Sequence, residues 1–149
     1  ADTIGHGEGF WMTTRVGTEY VWIEGEVPSM DVSVNLPASG QVLVAQPYPV
    51  SDDMNVAGAA GGGDNLGFLA SGGATGADSV AADTFAMRDC GAAYRYRFLA
   101  PDNNWWNDPG LVISGEALDA TEGAWIKRGT NAAAPMTWTY PKPYAMPPN

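Results

Sequence analysis

Glycine or proline interrupts this chain every few residues, and that spacing limits what it can fold into more than any other feature. The 149 residues include 19 Gly and 11 Pro. Glycine loosens a helix, and proline removes a backbone donor and clashes with the preceding turn. Few stretches can fill a long helix, and the pattern is one of short strands joined by tight turns.

The segments between the breaks agree. Phe10-Trp11-Met12-Thr13-Thr14-Arg15 and Tyr20-Val21-Trp22-Ile23 flank a Gly-containing turn, which predicts a hairpin. Asp31-Val32-Ser33-Val34-Asn35-Leu36 alternates apolar and polar residues, as an antiparallel strand with one wet face does. Gln41-Val42-Leu43-Val44-Ala45 is more evenly apolar and reads as a central strand ended by Pro47-Tyr48-Pro49. Further strands are predicted at 84–87, 93–99, 105–106, 111–113, 125–128 and 136–140. Along 93–99, Tyr94, Tyr96 and Phe98 share one face and Arg95 and Arg97 the other. The prediction is an all-β antiparallel sandwich or barrel-like domain of about eight to ten strands. From Ser51 to Ala82 the chain is rich in Gly, Ala, Ser and Asp around a small apolar segment, Leu66-Gly67-Phe68-Leu69. That stretch reads as a long ordered loop with one short helix or strand. A loop of this length in a compact domain also fits a contact role.

Charge narrows the partners. The formal net charge of −10 leaves too few cations to displace the counterions of a nucleic acid, and an anionic membrane surface would repel the chain. No apolar run approaches the roughly 20 residues that span a bilayer. The single cysteine, Cys90, rules out an intrachain disulfide and a Cys-based zinc site. It reads as a buried thiol, with an intermolecular bridge as the alternative. The start at Ala1 matches a chain trimmed of a signal peptide, as it would match any truncated chain.

An internal repeat is the most informative motif. Ile4-Gly5-His6-Gly7-Glu8-Gly9-Phe10-Trp11-Met12 aligns with Leu118-Asp119-Ala120-Thr121-Glu122-Gly123-Ala124-Trp125-Ile126 at a shift of 114 residues. The aliphatic residue, Glu-Gly, Trp and a second aliphatic coincide. Tyr20-Val21-Trp22-Ile23 then matches Met136-Thr137-Trp138-Thr139 once the second turn is allowed two more residues. Between the copies lies Leu36-Pro37-Ala38-Ser39-Gly40-Gln41-Val42-Leu43-Val44-Ala45-Gln46-Pro47-Tyr48-Pro49-Val50. It resembles the opening strand of exported bacterial surface β-domains, which runs Leu-Pro-Ala-Gly and then Trp-Asn-Leu-Val-Gly-Asn-Pro-Tyr-Pro. Those domains close with a Pro-Gly-Gln-Gly-Phe-Trp-Val hairpin. This chain has Gln41-Val42 and Ala45-Gln46 where that pattern has Trp-Asn and Gly-Asn. The closing stretch occurs twice, at 7–12 and 121–126. The resemblance covers about half of the chain and implies exported surface or matrix material rather than a catalytic family.

The layout that follows is an orphan closing hairpin at 1–30, a complete β-domain at 31–144 and a Pro-rich tail at 145–149. A hairpin without its unit has unpaired edges and an uncovered aromatic face, so it must pack on its own domain or on a neighbouring copy. Phe10, Trp11, Tyr20 and Trp22 are its candidate interface residues. Trp105 and Trp106 join them, because adjacent residues of an extended strand point to opposite faces and one must be exposed or covered by a partner.

Catalytic chemistry finds little to work with. A Ser-His-Asp or Cys-His arrangement would have to use His6, which sits among glycines, and no Gly-x-Ser-x-Gly elbow occurs. Glu8 and Glu122 hold equivalent repeat positions, which a shared turn explains better than a glycosidase pair. The glycines of 61–63 lack the Lys-Ser/Thr of a phosphate loop. Calcium is the one cofactor the residues suggest. Asp102, Asn104 and Asp108 form one oxygen-rich turn, and Ser51, Asp52, Asp53 and Asn55 form a second. Turns favour these residue types without any metal. The reading is a non-enzymatic extracellular or cell-surface subunit that assembles with itself into a filament or surface layer. The alternative is a carbohydrate-binding or adhesion module that uses Trp105 or Trp106 on cell-surface glycans.

Overall fold

The computed structural model describes residues 27–56, 63–88, 94–108, 116–120 and 122–144. They form nine strands: β1 (Val32–Leu36), β2 (Gln41–Ala45), β3 (Asp52–Asp53), β4 (Thr84–Arg88), β5 (Tyr94–Leu99), β6 (Trp105–Asp108), β7 (Ala117–Leu118), β8 (Gly123–Lys127) and β9 (Met136–Tyr140). Every pairing is antiparallel. A five-stranded sheet runs β2-β8-β4-β5-β6, and β1-β9 and β3-β7 make two smaller sheets. The fold is therefore an all-β antiparallel, sandwich-like one, as the turn spacing predicts. The predicted strand at 111–113 and the hairpin at 10–23 lie outside the described residues, as does Cys90.

The closing stretch is not a hairpin. β8 lies inside the five-stranded sheet, whereas β9 pairs with β1 in another sheet. Each closing strand instead finds its partner in the opening segment. Val32 to Leu36 run against Tyr140 to Met136, and Gln41 to Ala45 run against Lys127 to Gly123. The result is one two-stranded ribbon, β1-β2 against β9-β8, bent so that its halves belong to different sheets. Residues 37–40 turn the inner corner and 128–135 the longer outer one. The expected local hairpin gives way because opening and closing strands pair with each other at long range.

The outer corner is pinned by a buried ion pair. Arg128 Nε donates to Asp83 Oδ1 at 2.9 Å, and the Asp83 side chain is 0% exposed. Asp83 Oδ1 also accepts the Gly129 amide at 2.8 Å, and its Oδ2 accepts the Ala74 amide at 2.7 Å. Arg128 reaches across to the Pro37 carbonyl at 3.2 Å, which ties the two corners together.

Between the sheets the core is largely aromatic. The Phe68 ring lies 5.6 Å from Phe85, 5.6 Å from Trp105 and 5.5 Å from Trp138, edge to face with each. Such rings stabilise through large buried area and quadrupole geometry together. Phe68 comes from the Gly-rich stretch, which is thus a plug inserted into the core and more than a surface loop. Indole donors fasten it: Trp105 Nε1 donates to Asp64 Oδ1 at 2.7 Å and Trp138 Nε1 to the Leu66 carbonyl at 2.8 Å. Gly73 is required there, because a Cβ at that position would collide with the Phe68 ring.

Candidate functional site

The opening and closing motifs meet at one polar node. Tyr48, the centre of Pro47-Tyr48-Pro49, is buried and stacks on Tyr140 at 5.6 Å. Gln46 Nε2 donates to the Tyr140 hydroxyl at 2.8 Å, and that hydroxyl donates to Asp52 Oδ2 at 3.1 Å. Asn65 Nδ2 completes the group by donating to Asp52 Oδ1 at 2.7 Å. Burial raises the pKa of Asp52 above the usual carboxylate range and pushes the Tyr140 phenol far above its own. The node is a lock that recognises the last residue of the closing strand.

The bent ribbon also has a second edge. β1 and β2 are each paired on one side by β9 and β8, and no strand among the described residues pairs with their other sides. Because β1 and β2 belong to one ribbon, these sides form a continuous edge. The N-terminal segment enters the unit through a strap. The Tyr144 hydroxyl donates to the Pro28 carbonyl at 3.3 Å, Lys142 Nζ to the Ser29 carbonyl at 3.2 Å, and the Tyr48 hydroxyl to the Met30 carbonyl at 2.9 Å. Residues 28–30, grouped by sequence with the orphan hairpin, are thus held by the unit itself.

Of the candidate interface residues, Phe10, Trp11, Tyr20 and Trp22 lie outside the described residues. Trp105 is 0% exposed and packs against Phe68 and Phe85, so it is a core residue and presents no platform to a partner. Its backbone is paired by the Asn55 side chain, which accepts its N–H at 2.7 Å and donates to its carbonyl at 3.0 Å. Trp106 points to the opposite face, half-buried, with Asp102 accepting its indole N–H at 3.1 Å.

The expected calcium turn has other uses for its oxygens. Asp102 Oδ1 also accepts the Asn104 amide at 3.2 Å, closing a turn whose Asn103 has a left-handed φ of 69°. Asn104 Oδ1 accepts the Gly63 amide at 2.9 Å, and Asp108, at the far end of β6, is hydrogen-bonded to the Ser79 hydroxyl. In the second cluster, Ser51 donates to Asp119 Oδ1 at 2.5 Å, Asp52 serves the lock, and Asn55 holds Trp105. Among the described residues no three His, Cys, Asp or Glu side chains gather in one place. Glu122 is a turn residue whose N–H donates to the Asp119 carbonyl at 2.8 Å; His6 and Glu8 lie outside the described residues.

The outer face of the five-stranded sheet carries residues that no motif singled out. Cross-strand register places Leu43, Trp125, Ala86, Tyr96 and Asp108 in one row across all five strands. Gln41, Lys127, Thr84, Phe98 and Trp106 form the next row. Part of these rows, including Trp125, Ala86 and Tyr96 but not Leu43, Phe98 or Trp106, lines a hollow of about 640 Å³ together with Ser79. The alternation along β5 follows the predicted pattern, with Tyr96 outward and Arg97 turned inward to pair with Glu116 at 2.9 Å. The row itself depends on long-range register, which alternation within one strand does not reveal.

No family model matches this chain, and no curated protein or solved structure does either.

Proposed function

We propose that this chain is an extracellular, non-catalytic structural subunit whose copies join by strand addition. In this reading the N-terminal copy of the closing segment docks on the open edge of the β1-β2 ribbon of a neighbouring molecule. The observation that carries it is the pairing of the closing segment. The copy at β8-β9 is held along its length by β1-β2, whose other side no described strand covers, and residues 4–23 repeat the sequence of that copy.

The duplicate keeps the residues that would suit such an edge. Trp22 corresponds to the buried Trp138, and Trp11 corresponds to the outward Trp125. Extending the alignment by one residue sets Glu24 opposite Tyr140. A carboxylate there cannot stack on Tyr48 or donate to Asp52 as the phenol does, and its charge would repel the Asp52 carboxyl. The lock therefore favours β9 on the first edge and leaves the duplicate for the second. Backbone pairing supplies affinity in strand addition, and alternate side-chain pockets supply specificity. A head-to-tail contact of this kind need not close, so it propagates a polymer. Export rests on the resemblance to bacterial surface β-domains.

Removing residues 1–26 tests the reading. The described strand pairs and the 28–30 strap do not involve those residues. The shortened chain should run as a monomer with an unchanged β-type circular dichroism spectrum, while the full chain shows a regular polymer by negative-stain microscopy. Trp22→Ala in the full chain should shorten or abolish the polymer. If the shortened chain assembles as the full chain does, or if residues 4–23 prove to pair within their own molecule, the proposal fails.

A further inference from the structure

The outer face of the five-stranded sheet has the makings of a ligand site that is independent of the ribbon edge. Its central feature is Ala86, 7% exposed, on the middle strand between Trp125 on β8 and Tyr96 on β5. Neighbouring strands lie about 4.8 Å apart, so the two aromatic residues rise from strands roughly 10 Å apart with only a methyl group between them. The result is a trench with aromatic walls and a flat floor. Tyr96 is 42% exposed, and Trp125 is half-buried. Carbon atoms make their best contacts at about 3.5–4.0 Å, so a ring held between two aromatic faces needs roughly 8 Å of clearance. A saturated six-membered ring fits that gap.

The rim supplies polar groups of both kinds. Gln41, Ser79, Thr84, Asp108 and Lys127 line it, with Ser79 joined to Thr84 through its carbonyl and to Asp108 through its hydroxyl. The rim carries one cation and one anion and is neutral in sum, in a chain whose net charge is −10. An anionic ligand would meet no excess of cations, and a cationic one no excess of anions. Flat apolar walls bordered by hydroxyl, amide and single charged groups match a neutral sugar, whose ring faces are C–H-rich and whose edge is hydroxylated. The row continues behind both walls, to Leu43 beyond Trp125 and Asp108 beyond Tyr96, so the trench runs along β4.

We infer that this trench binds a neutral polysaccharide, with one pyranose ring seated over Ala86 between Trp125 and Tyr96. Neither Trp105 nor Trp106 takes part: the first is core, and the second holds its indole N–H against Asp102.

The test is affinity electrophoresis and tryptophan-fluorescence titration of the full chain against four neutral hexasaccharides, those of cellulose, xylan, mannan and chitin. At least one should quench the fluorescence and bind saturably. Trp125→Ala and Tyr96→Ala should each weaken that binding about tenfold or more. Ala86→Phe, which fills the floor while keeping a strand-forming residue, should abolish it, and Trp106→Ala should leave it unchanged. Circular dichroism of each variant reports whether the fold persists. Absence of binding to all four sugars would overturn the assignment, as would binding indifferent to Ala86→Phe. If Ala86→Phe disrupts the polymer, the face is occupied by a second copy and the glycan assignment is wrong. The lining named here contains no residue of 1–26, so failure of strand addition and failure of sugar binding are read separately.

Discussion

At the scale of single residues, Asp52 shows how burial turns a turn residue into a pH-sensitive one. Its carboxyl is drawn into the lock by Tyr140 and Asn65, and desolvation raises its pKa above that in the unfolded chain. In the window between the two values the folded state holds more protons than the unfolded one. Stability contributed by this group is therefore fully present below the unfolded pKa, about 3.9 for an ordinary Asp, and is lost as pH rises through the folded value. Asp52→Asn should remove that dependence. Chemical denaturation of both proteins across the acid range checks it: the difference in stability between variant and parent should change with pH in that direction. A pH-independent difference would mean that Asp52 ionises alike in both states.

At the scale of elements, the bent ribbon decides the architecture, and its corner is its weakest point if disturbed. Asp83 and Arg128 are both buried, and Asp83 also satisfies two backbone amides from separate segments. Removing one partner of a buried pair leaves the other charge uncompensated, which costs about 3–5 kcal/mol. Arg128→Met should destabilise by that order, with Asp83→Ala similar or worse because the Gly129 and Ala74 amides lose their acceptor. The double change should cost less than the sum of the two, since the stranded charge is gone. Thermal melts of the three variants decide this, and strictly additive losses would show that the pair is not coupled.

At the scale of the whole molecule, the proposed assembly would have to overcome repulsion between copies that each carry a formal charge of −10. Strand addition through backbone pairing and buried aromatic rings does not depend on ion pairs. Salt shortens the screening length from about 10 Å at 0.1 M to about 3 Å at 1 M. Polymer formation should therefore speed up as sodium chloride is raised, followed by light scattering. Slower assembly at high salt would point to a contact held by opposite charges and away from the ribbon edge.

Much of this was legible in the residues alone. Gly and Pro spacing, with alternation along 31–36 and 93–99, is local information, and local sterics suffice to turn such segments into strands; the evenly apolar 41–45 is a strand too, but an edge one and not the central strand its composition suggests. The repeat drew attention to 118–139, where the structure has β8 and β9, though in different sheets; its first copy lies outside the described residues. Which strand pairs with which was decided only in three dimensions. Strands β8 and β9 look like a hairpin in sequence, yet each is captured by a partner some 80 to 110 residues away. Trp105 and Trp106 differ in burial because β6 has the core on one side only, and Phe68 leaves its Gly-rich surroundings to fill that core. The Trp125-Ala86-Tyr96 trench exists only through the register of three strands distant in sequence. Alternation determines which residues of one strand share a face. Long-range backbone pairing and the filling of the interior determine which residues of different strands meet.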